Sequence, residues 1–217
     1  MVNQNDIIAK TVEYVRSELA NAEGGHDWWH IHRVRVNALK IAQEEDCNPF
    51  IVELAALLHD IADSKFHSGN EDIGPTKARD FLEANDLPED VIQHIVQIIR
   101  NVSFKGGHVT QSFESIELAV VQDADRLDAI GAIGVARAFN YGGHKGRLLY
   151  HPDIKPVLNM DKETYKRSTA PTINHFYEKL LLLKDRMNTE TGRRLAEERH
   201  RFMEHFLEQF YTEWNGI

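Results

Sequence analysis

Residues 53–61 read ELAALLHDI, an apolar run that ends on a histidine and an aspartate side by side. Leu54, Leu57, Leu58 and Ile61 recur at helical spacing and demand burial, so His59 and Asp60 on the same turns leave water with them. A buried carboxylate is costly unless something cationic compensates it. A divalent metal is one such compensator. Adjacent side chains diverge by only about 100° around a helix, so both can reach it. The run therefore asks for a helix inside the fold, with metal-seeking groups on its inward end.

Helical periodicity continues almost throughout, as in Ile7, Ile8, Val12, Val15 and Leu19, or Val34, Leu39, Ile41 and Ala42, while strand alternation is scarce. Breaks at AEGG (22–25), DCNP (46–49), SGN (68–70), DLP (86–88) and KGGHVT (105–110) divide the first 140 residues into six or seven helices. The stretch 141–168, with three glycines and two prolines, reads as a long loop and therefore as a functional lid, although it lacks the Gly-Lys-Ser/Thr of a P-loop. Two helices follow, over 170–187 and 189–214. The expectation is one all-α domain over 1–217, with a core at about 24–140, the lid loop at about 141–168 and C-terminal helices at about 169–215. The stripe in FMEHFLEQFYTEW either packs inward or joins two copies as a homodimer.

With 217 residues, 42% of them hydrophobic, the chain can bury its own core. A net charge of −9 argues against gripping nucleic acid or an anionic membrane by bulk electrostatics. No run of about 18 apolar residues occurs, so no signal peptide or membrane span is expected, and the chain is expected to be cytoplasmic. The single Cys47 fits a reducing compartment and reads as a structural thiol.

Four segments place His or Asp at or beside helices: GGHDWWHIHRV (24–34), LLHDIADSKFH (57–67), IIRNVSFKGGH (98–108) and VVQDADRLDAIG (120–131). His26 and His30 stand four apart and would share a face. His30 is the better ligand, because GGHD reads as the helix start and makes His26 a cap or a supporting partner. His32 points elsewhere. Trp28 and Trp29 either pack in the core or offer a face to a base. Asp123 and Asp125 compete for one role, the other orienting a ligand histidine as Asp128 also could. Asp63 follows His59 and Asp60 by four and three residues and shares their helical face.

The ordered pattern resembles that of the HD-domain phosphohydrolase superfamily, in the H…HD…D positions His30, His59, Asp60 and Asp125. The segments GHDWWHIHRV, LLHDIADSKF, SFKGG, QDADRLDAIGAIG and INHFYEKLLLLKDRMNT are similar to stand-alone bacterial members that include a deoxynucleoside triphosphate pyrophosphatase. The resemblance covers about residues 24–210. It implies an all-α HD-domain bundle in which those four residues hold one divalent metal ion. It also implies that Asp63 positions a water or passes a proton, the alternative being a helix-end charge that binds Lys65. Two imidazoles and two carboxylates leave open positions on a six-coordinate ion, which suits manganese first, with magnesium, iron, cobalt, nickel or zinc as other candidates.

A phosphate substrate in an acidic protein needs its own cations. Arg33, Arg126 and Lys105 are candidates for stabilising charge on the phosphates, and Lys65, His108, Lys145, His175 and Lys179 for binding the substrate. The expected activity is metal-dependent hydrolysis of a small nucleotide, giving monophosphate and pyrophosphate from a (deoxy)nucleoside triphosphate. The rivals are a nucleoside monophosphatase, a phosphodiesterase for a cyclic or linear dinucleotide, and a non-catalytic nucleotide-binding module. Phosphodiesterases of this superfamily often carry extra histidines for a second metal, but the segment IIRNVSF has Asn101 and Ser103 where these would stand, with His94 two turns earlier, which favours a single ion.

Overall fold

The computed structural model describes residues 3–20, 27–62, 72–102, 113–161, 164 and 167–217. Among the described residues the first 144 positions form seven helices: α1 (Gln4–Glu18), α2 (Trp28–Ala42), α3 (Pro49–Leu58), α4 (Ile73–Glu83), α5 (Glu89–Val102), α6 (Ile116–Asp128) and α7 (Gly131–His144). No strand occurs among the described residues, as the periodicity predicts. The chain divides into two compact units, residues 1–125 and 126–217, the division falling within α6.

The first unit is organised around α3. Asn48 caps it, accepting hydrogen bonds from the backbone N–H groups of Phe50 (3.1 Å) and Ile51 (3.5 Å), and Pro49 takes the first helical position, where a missing N–H costs nothing. Ile51, Val52, Leu54, Ala55, Ala56, Leu57 and Leu58 are all buried. A helix apolar on every side must be surrounded. Helices α1, α2 and α5 pack against it, and α4 packs on α5. Each neighbour contributes a narrower stripe, such as Ile7, Thr11 and Val15 of α1, or Ile92, Ile95, Val96 and Ile99 of α5.

In the second unit α7 runs through Tyr141, Gly142, Gly143 and His144, so the expected loop begins at Lys145 rather than at 141. Glycine disfavours a helix interior, but here tertiary packing requires it. A Cβ on Gly142 would lie 2.1 Å from Thr172 Oγ1 and 3.3 Å from Thr172 Cβ, so rotating the threonine could not clear it. The described part of the following segment is tied down: Thr172 and Ile173 donate backbone N–H groups to the carbonyls of Leu148 and Leu149, and Asn174 donates its side-chain amide to that of Ile154.

The expected helix over 170–187 is three shorter pieces: α8 (Thr172–Glu178), then 3₁₀ turns at Leu180–Leu182 and Lys184–Arg186. The break falls at Lys179 (φ −145°, ψ −56°). Beyond it Leu180 and Leu183 are buried while Leu182 is exposed, a spacing of three that suits a 3₁₀ turn. The last helix, α9 (Glu190–Asn215), is capped by Thr189, whose hydroxyl accepts from the Gly192 N–H at 2.9 Å. Phe139 of α7, Phe176 of α8 and Phe206 of α9 cluster with ring centroids 5.7–6.1 Å apart.

Two outcomes follow from this packing. Gly142→Ala is expected to cost about 1–3 kcal/mol of stability by urea denaturation, with part of the loss recovered when Thr172→Ala is added. His175 lies within α8, where burial, with Lys179 and Arg147 nearby, pushes its imidazole down to about 4. The unfolded chain then binds a proton that the folded chain refuses. That contribution to stability is whole above about pH 6.5 and is lost as pH falls toward 4, by on the order of 3 kcal/mol. Denaturation curves of the wild-type chain and His175→Gln should converge across that interval as pH falls. Parallel curves would show that His175 carries no such burden.

Candidate metal centre

Three elements of the first unit bring four side chains together. Asp27 caps α2 and accepts from the His30 N–H at 2.9 Å, which sets the first turn of the helix on which His30 lies. The cap is therefore Asp27 rather than His26, which lies outside the described residues. His30 shares the buried face of α2 with Ile31, Val34, Asn37, Ala38 and Ile41 and is 3% exposed. Asn37 reaches across to the Ala124 carbonyl at 3.5 Å, joining α2 to α6 beside Asp125.

Helix α3 ends at Leu58, so His59 and Asp60 stand just past the helix rather than on its turns. His59 is the C-cap residue, and its Nδ1 lies 2.8 Å from the Ala56 carbonyl. A carbonyl only accepts, so Nδ1 carries a proton, and Nε2 on the far side of the ring is the nitrogen left for a ligand's role. The His30 and His59 rings meet edge to face with centroids 5.4 Å apart.

The ligand atoms of His30, His59 and Asp60 all lie within 4.8 Å of one another. His30 Nε2 is 4.0 Å from Asp60 Oδ2 and 3.6 Å from Asp125 Oδ1. In a six-coordinate shell with bonds of about 2.1 Å, adjacent donors lie roughly 3 Å apart and opposite donors roughly 4.2 Å. The three clustered ligand atoms of His30, His59 and Asp60 suit a divalent ion with positions left open, and Asp125 approaches them from α6 through its 3.6 Å separation from His30. Among the described residues this is the one cluster of three or more such groups.

The acidic residues around Asp125 separate by environment. Asp123 is fully buried, and Asp125 is part-exposed and reaches His30. Asp128, nearly fully buried, ion-pairs with Arg137 of α7. Arg33 is half-buried on α2, one turn from His30. Arg126 donates to the Arg186 carbonyl at 2.7 Å, which occupies one edge of its guanidinium. Asp63, Lys65, Lys105 and His108 lie outside the described residues. Lys145, His175 and Lys179 belong to the second unit, where His175 feels the charges of Lys179 and Arg147.

Other features singled out in the sequence have structural partners. His94 Nε2 is 3.0 Å from Ser115 Oγ and 3.3 Å from Glu117 Oε2, and Glu117 also accepts the Asn48 N–H at the start of α3. Burial and nearby Glu117 push the Cys47 thiol up, which keeps it protonated. Trp28 lies beneath the Arg16 guanidinium, while Trp29 is 60% exposed and outside the core. The residues that position the candidate ligands, Asp27, Ala56 and Asn37, were not assigned from sequence. Asp27 had a local signal, an aspartate three residues before the first buried ligand. The other two act through a backbone carbonyl and a tertiary contact.

Residues 28–130 match the family model described as HD domain. YpgQ of Bacillus subtilis is 40% identical over 205 residues, covering 94% of this chain and 92% of that protein. A solved HD-superfamily hydrolase of Bacillus thuringiensis aligns over 99% of this chain and 100% of its own, with 45% identity and a TM-score of 0.81. The structure of B. subtilis YpgQ in complex with ADP aligns over 97% and 96%, with 37% identity and a TM-score of 0.75. With its ligand pattern drawn together and its fold shared along nearly its whole length, the chain belongs to the HD-domain family, a superfamily of metal-dependent hydrolases.

Proposed function

We propose that the chain hydrolyses a nucleotide, and specifically that it converts a (deoxy)nucleoside triphosphate to the monophosphate and pyrophosphate. The observation that carries the reading is the part-buried cluster of His30, His59 and Asp60, with Asp125 3.6 Å from His30. The complex of the relative YpgQ with ADP supports a nucleotide as the substrate class. His30, His59, Asp60 and Asp125 would hold a divalent ion, with manganese the first candidate. Bound there, it supplies a Lewis acid for a phosphoryl oxygen and a water acidic enough to ionise near neutral pH.

The chain's own residues do the rest. The Ala56 carbonyl holds His59 in the tautomer that leaves Nε2 available, and the Asp27 cap and the packing of α2 hold His30 in place. Asp63 accepts a proton from the attacking water. The oxygen of that water forms a bond to the α-phosphorus, and the bridging oxygen leaves with its electron pair on pyrophosphate. Arg33, Arg126 and Lys105, with Lys65, His108, Lys145, His175 and Lys179, are the candidates for neutralising the phosphate chain. In a chain of net charge −9 those cations answer the need of a polyanion for counter-charge.

Asp60→Ala is expected to abolish manganese binding by calorimetry and to erase the metal-induced rise in melting temperature. That rise corresponds to about 2.7 kcal/mol at a hundredfold excess over Kd. The helical circular dichroism should be unchanged, and retention of full activity would sink the assignment. Ion-exchange analysis after incubation with manganese and a panel of ribo- and deoxynucleoside mono- and triphosphates should show monophosphate together with pyrophosphate. Orthophosphate from monophosphates alone would identify a nucleotidase instead, and turnover only of dinucleotides a phosphodiesterase.

A further inference from the structure

The second unit holds a cationic cluster of which only Lys145 is among the phosphate-neutralising candidates named above. Tyr141, Lys145, Gly146, Arg147, Leu148, Arg167, Ser168 and Thr169 line an open cavity of roughly 400 Å³. Its two walls are the end of α7 with the turn that follows, and the segment 167–169. The turn is closed by backbone bonds from Lys145 N to Tyr141 O, Gly146 N to Gly143 O and Arg147 N to Gly142 O, with Gly146 at φ +64°, where a Cβ would be strained. Arg147 then spans the cavity, donating through Nη2 to the Ser168 carbonyl at 2.6 Å.

Three permanent cations meet here. Lys145 and Arg147 stand over the Tyr141 ring, at 5.7 and 5.4 Å from its centroid, and Arg167 is exposed on the opposite wall. Among the described residues no carboxylate pairs with Lys145, Arg147 or Arg167. Like charges held together in a chain of net charge −9 repel one another unless an anion joins them. Arg147 spends one N–H on Ser168 and has others to give, and Ser168 and Thr169 add hydroxyl donors. Ammonium, planar guanidinium and hydroxyl donors around a cavity of this size suit tetrahedral phosphoryl oxygens carrying more than one charge.

We propose that this pocket is a phosphate-binding site whose ligand carries two or more linked phosphoryl groups. The reading of the chain as a nucleotide hydrolase supplies the source of those phosphates, but the site stands on the second unit's residues alone. Its ligand is either the phosphate chain of a nucleotide or a free inorganic polyphosphate.

The test is calorimetric titration of the full chain with inorganic pyrophosphate and, separately, with ADP, both in EDTA so that no divalent ion contributes. Binding should persist in Asp60→Ala and weaken as salt rises. It should fall at least about tenfold in Lys145→Gln/Arg167→Gln, two residues whose side chains make no hydrogen bond among the described residues. Lys40→Gln, an exposed position on α2, serves as the control. Tighter binding of ADP than of pyrophosphate, lost in the same double variant, marks a nucleotide, and equal binding marks the free phosphate chain; both support the site. Unaltered affinity in the double variant, an equal loss in Lys40→Gln, or no binding of either probe overturns it. Loss of binding in Asp60→Ala alone also overturns it, whereas loss of turnover in that variant bears only on the metal reading.

Discussion

Everything in the first unit depends on the burial of α3. Because that helix is apolar on every side, its neighbours must enclose it. The enclosure carries its C-terminal end, and the His-Asp pair just beyond it, away from bulk solvent. The same packing brings His30 of α2 against His59. The cluster is thus a product of core formation, and the free energy that assembles four metal-seeking groups comes from hydrocarbon leaving water.

The polar links refine what the core positions. Asp27 caps α2 at His30, a candidate ligand, Asn37 joins α2 to α6 next to Asp125, another candidate, and Glu117 joins α6 to the start of α3. The first fixes one turn of α2, and the other two each tie together two elements that bear or precede the candidate ligands. Arg137 and Arg199 do comparable work at the end of α6, the first on Asp128 and the second on the Leu127 carbonyl.

Much of this was legible in the chain itself, for physical reasons that differ from place to place. The all-α class and the interior position of α3 follow from period and composition, because a run such as Leu54, Leu57, Leu58 and Ile61 permits few environments. The choice between Asp123 and Asp125 could not be made from spacing, since side chains two apart on a helix point roughly 200° away from each other and either could face the histidines. Resemblance selected Asp125, and the geometry shows it 3.6 Å from His30. The end of α7 was misplaced because Gly142 and Gly143 look like a break locally, whereas the reason for Gly142 is Thr172, thirty residues further on. The helix expected over 170–187 fails for a similar reason, as burial of Leu180 and Leu183 favours a period of three.

The bond from His59 to the Ala56 carbonyl has a bearing on which residues position 59 can tolerate. The side chain there donates backward to close the last turn of α3, and to serve as a metal ligand it would also have to offer a lone pair forward in the opposite direction. Imidazole does both on one rigid ring. Aspartate has the lone pairs without the proton, cysteine is too short to span both, and in asparagine donor and acceptor sit together on one short amide. The mutational neighbourhood of this residue is therefore narrow for two independent reasons, and a change that rescued one requirement would still forfeit the other.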